Sequence, residues 1–112
     1  MADREEILRR LTLGDIGCLD DLVASRATAA TTSLDHAGAA LVRLGALVAT
    51  DGSDLTWQHT VATALDAGVT PDEIVDALVV LAPVVGQTRV VSAAPKVALA
   101  TGFDIDAALE LR

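Results

Sequence analysis

The chain of 112 residues holds one cysteine, Cys18, and that scarcity removes several chemistries at once. A single thiol allows no disulfide within the chain, no Cys-x-x-Cys redox pair and no cysteine-based zinc cluster. Cys18 therefore reads as a small buried hydrophobe. Histidine is almost as rare. His36 and His59 are the only two, and neither His-x-x-Glu nor His-x-x-x-His spacing occurs, so no metal site and no cofactor is expected. Neither Gly-x-Ser-x-Gly nor a glycine-rich phosphate loop is found. Aromatics amount to Trp57 and Phe103. With eight scattered basic residues against sixteen acidic ones, and a formal charge of −8, nothing resembles a surface that tracks phosphates, so nucleic acid is excluded as a partner. No apolar run reaches the roughly 18 residues that a membrane span requires. Asp3 to Arg10 reads as a charged helix start rather than a signal peptide, and a cytoplasmic protein without membrane contact is expected.

What fills the chain instead is aliphatic. Hydrophobic residues make up 52% of it, almost all Ala, Val, Leu and Ile, and the mean hydropathy is positive. The length suits one domain spanning 1–112. A monomer of this size cannot hide so much aliphatic surface, so a homo-oligomer is expected. Charge is unevenly spread. Between Ala77 and Phe103 the only charged residues are Arg89 and Lys96, which makes that stretch apolar and locally basic.

Apolar residues recur at three and four, the period of helices, and strand alternation is missing. The expected architecture is an all-α, single-domain bundle of six to seven helices. Two N-terminal helices lie within 3–25. Asp3 to Leu11 has Ile7, Leu8 and Leu11 inward, and Asp15 to Ser25 carries Ile16, Leu19, Leu22 and Val23. A polar connector follows from Arg26 to Ser33. The next helix runs to about Thr50, with Leu41, Leu44 and Val48 inward and Gly52 ending it. Ser53 caps a helix from Asp54 to Ala67, closed by Gly68. Thr70-Pro71-Asp72-Glu73 combines an N-cap threonine, proline at the first helical position and glutamate at the third, which predicts a helix start at Pro71. That helix presents Ile74, Leu78 and Leu81, and from Ala77 onward its other faces are apolar too, the mark of a buried helix. A kink or break is expected at Pro83. A further helix follows from about Gly86 to Thr101, disturbed near Pro95, and a last short one starts at Asp104 or Asp106.

On a helical wheel Trp57, Val61, Ala64 and Leu65 share one sector. His59 points nearly the opposite way, with Leu55, Ala62, Thr63 and Asp66. Arg89 and Lys96, seven apart, fall on one face of a continuous helix, either a solvated stripe or an anion-binding wall.

From Leu34 to about Lys96 the chain resembles the carboxymuconolactone decarboxylase family, which includes the alkylhydroperoxidase D-like proteins. The residues carrying the likeness are Leu34-Asp35, Leu41, Leu44, and the run His59-x-x-x-x-Ala-Leu-x-Ala-Gly-Val-Thr-x-Asp-Glu-Ile, followed by Val-x-Ala-Leu and Gly86. The resemblance implies an alkylhydroperoxidase D-like fold built around an antiparallel helix pair, here about 54–67 and 71–82. It also implies assembly as trimers or hexamers with sites near subunit boundaries, and a functional role for His59. The sequence departs from the redox branch of that family. Its two cysteines would fall at Gly52 and Leu55, its acidic relay residue at Ala40, and the usual Thr-Arg is Gly38-Ala39, so thiol peroxidase chemistry is not available. The implied activity is a cysteine-independent, lyase-type reaction on a small carboxylate or lactone. His59 would be the proton donor or acceptor, and Arg43, Arg89 or Lys96 would hold the substrate's carboxylate. The alternative is a non-catalytic helical oligomer that binds a small molecule or a partner protein.

Overall fold

A computed structural model describes residues 3–24 and 32–103. Its described residues form six helices and no strand: α1 (Arg4–Thr12), α2 (Ile16–Ala24), α3 (His36–Thr50), α4 (Asp54–Asp66), α5 (Pro71–Val85) and α6 (Gln87–Thr101). The expected connector from Arg26 and the last helix at Asp104 or Asp106 lie outside the described residues. Among these residues no helix is long and apolar enough to cross a membrane. The chain divides into two compact units, 1–35 and 36–112.

In the first unit Asp3 caps α1 by accepting from the Glu5 N–H. Glu6 pairs with Arg9 at 2.6 Å and Arg10 at 3.0 Å, and these arginines hold its carboxyl down at about 2. The predicted inward stripes are not buried. Ile7 is half-buried, but Leu8 and Leu11 are exposed, as are Ile16, Leu19, Leu22 and Val23. The reason is size, because two nine-residue helices can cover only one face of each other. Cys18 is half-buried rather than buried, beside Ile7 and Leu22.

The second unit holds the core. Leu44 and Val48 of α3, Trp57, Val61 and Ala64 of α4, Ile74 and Leu78 of α5, and Ala93 and Val97 of α6 are buried together, with Val69 from the turn between α4 and α5. Each fully buried aliphatic side chain contributes about 1.5–3 kcal/mol by leaving water. The stripe read at three-and-four spacing is thus the core face on α4 and α5. On α3, Ala40 and Leu47 are buried as well, widening the same face at i, i+4, i+7 and i+8 spacing.

The helix starts are those the sequence signals. Ser53 Oγ accepts from Thr56 N–H. Thr70 Oγ1 accepts from Glu73 N–H at 3.1 Å while Glu73 Oε1 accepts from Thr70 N–H at 2.9 Å, a complete capping box. These bonds hold the Glu73 carboxyl below its ordinary value. Two expectations need correction. The helix does not break at Pro83. Pro83 and Pro95 both lie exposed inside continuous helices, where the lost N–H leaves a carbonyl that water can reach. The break falls instead at Gly86, whose φ of 87° and ψ of 163° suit glycine alone. Second, Asp51, not Gly52, takes the left-handed conformation after α3, with φ 63°. Gly52 serves space: a Cβ there would meet Leu47 Cδ1 at 3.0 Å. The expected helix pair is present as α4 and α5, joined by a short turn, and each packs chiefly on α3 and α6. Trp57 and Val61 on one side and Ile74 and Leu78 on the other converge on the same core from different helices.

The apolar faces of α5 beyond Ala77 are not buried in the single chain. Val79, Val80 and Val84 stand exposed, as do Val42 on α3 and Val91 on α6.

Candidate functional site

His59 stands exposed on α4, beside exposed Ala62 and two positions from Gln58's neighbour Trp57. Its backbone carbonyl accepts from Thr63 Oγ1 at 2.8 Å, a bond within the helix that does not involve the imidazole. Leu55, one turn earlier on that face, is 75% exposed. The helix is oriented by Trp57, which is 2% exposed and pins the opposite face into the core.

Trp57 also organises a polar cluster. Its indole Nε1 donates to Asp51 Oδ1 at 2.9 Å. The same oxygen accepts from Lys96 Nζ at 2.7 Å and from Gly52 N–H at 2.8 Å. The Lys96 ammonium lies 5.5 Å from the centre of the Trp57 ring, within cation–π range. Lys96, then the indole, then the Gly52 N–H hold the Asp51 carboxyl well below the usual carboxylate range. Three acceptor bonds on one short side chain explain how Asp51 tolerates a left-handed backbone. The cluster also ties the turn between α3 and α4 to the middle of α6, across 45 residues of sequence.

Beside this cluster α4 and α6 enclose a cleft of about 330 Å³, lined by Asp54, Trp57, Gln58, Lys96, Leu99 and Ala100. Of the residues picked out from sequence, Lys96 lines it and His59 does not. Arg89 is exposed on α6, two turns before Lys96 on the continuous helix, and Arg43 is exposed on α3. A larger apolar cleft, about 600 Å³, lies between α3 and α5, where Leu41, Val42, Val80 and Leu81 form the walls and Glu73 and Asp76 the acidic rim.

The positions where the redox branch carries its chemistry are plain in the structure. Ala40 is buried in the core, Gly52 sits in the turn, and Leu55 is exposed. None supplies a thiol or a carboxylate. Against known sequences, the profile of the carboxymuconolactone decarboxylase family (CMD) matches residues 19–99. That span is most of the chain. The chain belongs to the carboxymuconolactone decarboxylase family. The match reaches back into α2, ahead of Leu34. This decarboxylase-family chain has no match among curated proteins or solved structures. Its all-helical described architecture agrees with the alkylhydroperoxidase D-like fold of the family.

Sequence reasoning missed Asp51. The Asp-Gly pair at 51–52 marks a turn, but nothing local says that the carboxylate reaches Trp57 and Lys96.

Proposed function

We propose that the protein is a cysteine-independent lyase of the carboxymuconolactone decarboxylase type, acting on a small carboxylate or lactone. His59 delivers or removes a proton at the reacting carbon, and the basic face of α6 of a neighbouring copy, with Lys96 and Arg89, holds the substrate's remaining carboxylate, since within one chain Lys96 rests against Trp57, away from His59. The observation that carries this reading is the family histidine standing exposed on α4 beside exposed Leu55, on a face that the chain's own core leaves open. A second copy of the chain closes the site over His59, as a homotrimer or hexamer. The exposed valines of α5 support that assembly. Thiol peroxidase activity does not enter, because Gly52 and Leu55 offer no thiolate.

A panel of small lactones and lactone acids, followed by CO2 release, tests the proposal with His59→Gln as the comparison. Turnover should be lost in the variant while the sedimentation coefficient stays the same. A variant that turns over as fast as the parent sinks the catalytic role of His59.

A second reading, a non-catalytic oligomer that binds a small molecule or a partner protein, is favoured by one specific contact. The Lys96 charge is already met by Asp51. Thermal stabilisation by a carboxylate or lactone, with no turnover of any of them, would select this reading.

A further inference from the structure

Among the described residues Lys96 is the one basic side chain lining the cleft between α4 and α6, and its ion-pair partner is a carboxylate of the protein itself, Asp51. The pair is open to solvent: the Lys96 side chain is 28% exposed and that of Asp51 38%. An ammonium has three donors, and here one goes to Asp51 at 2.7 Å while the charge rests against the Trp57 ring. Asp51 is not placed there by regular structure. It sits in a left-handed turn position at φ 63°, away from the backbone that most non-glycine residues adopt, with Gly52 beside it. Backbone strain of this kind persists where surrounding contacts over-determine it, and it gathers at sites that change state. The rest of the cleft suits the body of an organic acid, with Leu99 and Ala100 as an apolar wall and the Gln58 amide as a hydrogen-bonding group. A cleft of about 330 Å³ admits a small ligand. Asp54, the carboxylate that lines the cleft itself, is the first residue of α4, where the free N–H groups of the helix start offset its charge.

We propose that Asp51 is an internal competitor for Lys96, and that a small aliphatic carboxylate binds in the α4–α6 cleft by taking Asp51's place on the Lys96 ammonium. The inference rests on the reading of Lys96 as the carboxylate-holding cation and adds its regulation. In the unliganded chain the cation is masked, and only a ligand whose body also gains from Leu99 and Ala100 displaces the tethered carboxylate. Asp51 is a specificity determinant rather than a catalytic residue. Acetate, too short to reach that wall, competes poorly.

Trp57, the only tryptophan, reports the exchange directly, because its indole N–H donates to the carboxylate that moves. Intrinsic emission is titrated with sodium isovalerate at constant ionic strength, and with neutral isovaleramide as the control. Asp51→Asn keeps an oxygen acceptor for the indole and removes the competing charge. It should tighten isovalerate binding about tenfold, a modest part of what one charge at contact distance commands. Lys96→Gln should abolish isovalerate binding, and isovaleramide should bind no variant better than another. The proposal is overturned if Asp51→Asn binds isovalerate no more tightly than the parent, or if Lys96→Gln binds it unchanged. Circular dichroism of each variant separates a lost site from a lost fold. No turnover is read, so the outcome is distinct from that of the lyase proposal. Loss of activity in His59→Gln with no tightening in Asp51→Asn leaves the lyase standing and removes the competitor, and the reverse result does the opposite.

Discussion

Val80 offers the sharpest test of how the exposed aliphatic surface is used. It lies at the middle of α5, 74% exposed in the single chain, with Val79 at 68% and Val84 at 82% on the same helix. Full burial of a valine is worth at least about 1.5 kcal/mol, so covering the exposed part of each in an interface gives about 1 kcal/mol per valine per copy. Val80→Asp removes that gain and puts a carboxylate where a second copy would exclude water. Desolvation of an unpaired polar group adds at least about 1–3 kcal/mol. The association constant should fall by at least about a hundredfold, since every 1.4 kcal/mol is a factor of about ten. Sedimentation velocity across a dilution series reads this shift. The fold should survive, because Val80 is not in the core, and Trp57 emission checks that it does. A parent protein that sediments as a monomer at tens of micromolar, or a Val80→Asp protein that associates as the parent does, would refute the interface.

The buried face predicts the opposite pattern. Leu44, 0% exposed, should cost about 2–5 kcal/mol of unfolding free energy on replacement by alanine, read by urea denaturation. Thr70→Ala removes the acceptor for Glu73 N–H and half of the capping box; about 1 kcal/mol is lost, a fall of about 4–8 °C in Tm by calorimetry. Gly86→Ala should lower Tm too, because φ 87° with ψ 163° has no comfortable place for a Cβ even though the space around it is open. The Asp51 pair predicts acid behaviour with a definite sign. Its folded carboxyl titrates below the unfolded one, near 3.9, so near and below that pH the unfolded chain binds more protons. The contribution is complete above the unfolded value and is lost as pH falls toward the folded one. Urea midpoints between pH 2.5 and 6 should therefore fall less steeply toward acid in Asp51→Asn than in the parent.

The features that sequence alone determined are local ones. The Thr70 to Glu73 box, the Ser53 cap and the closing glycine at 68 work through atoms within four residues of each other, so composition and spacing specify them. The core face of α4 was legible for the same reason: Trp57, Val61 and Ala64 lie on one side of any regular helix, and His59 on the other. The lone cysteine, with Ala40, Gly52 and Leu55 at the redox branch's positions, showed without any structure that the Cys-x-x-Cys pair is absent. Other features were decided by tertiary structure, because they depend on what meets what. Whether Pro83 breaks a helix turned on its being exposed, where water can take the orphaned carbonyl. Burial of the valines along α5 failed within one chain because α3 and α6 cover only one side of that helix. The Asp51 carboxylate found its partners 6 and 45 residues away, at Trp57 and Lys96. No periodicity encodes such a meeting; it exists only because α4 and α6 pack side by side and bring an indole, an ammonium and the strained turn after α3 to one oxygen.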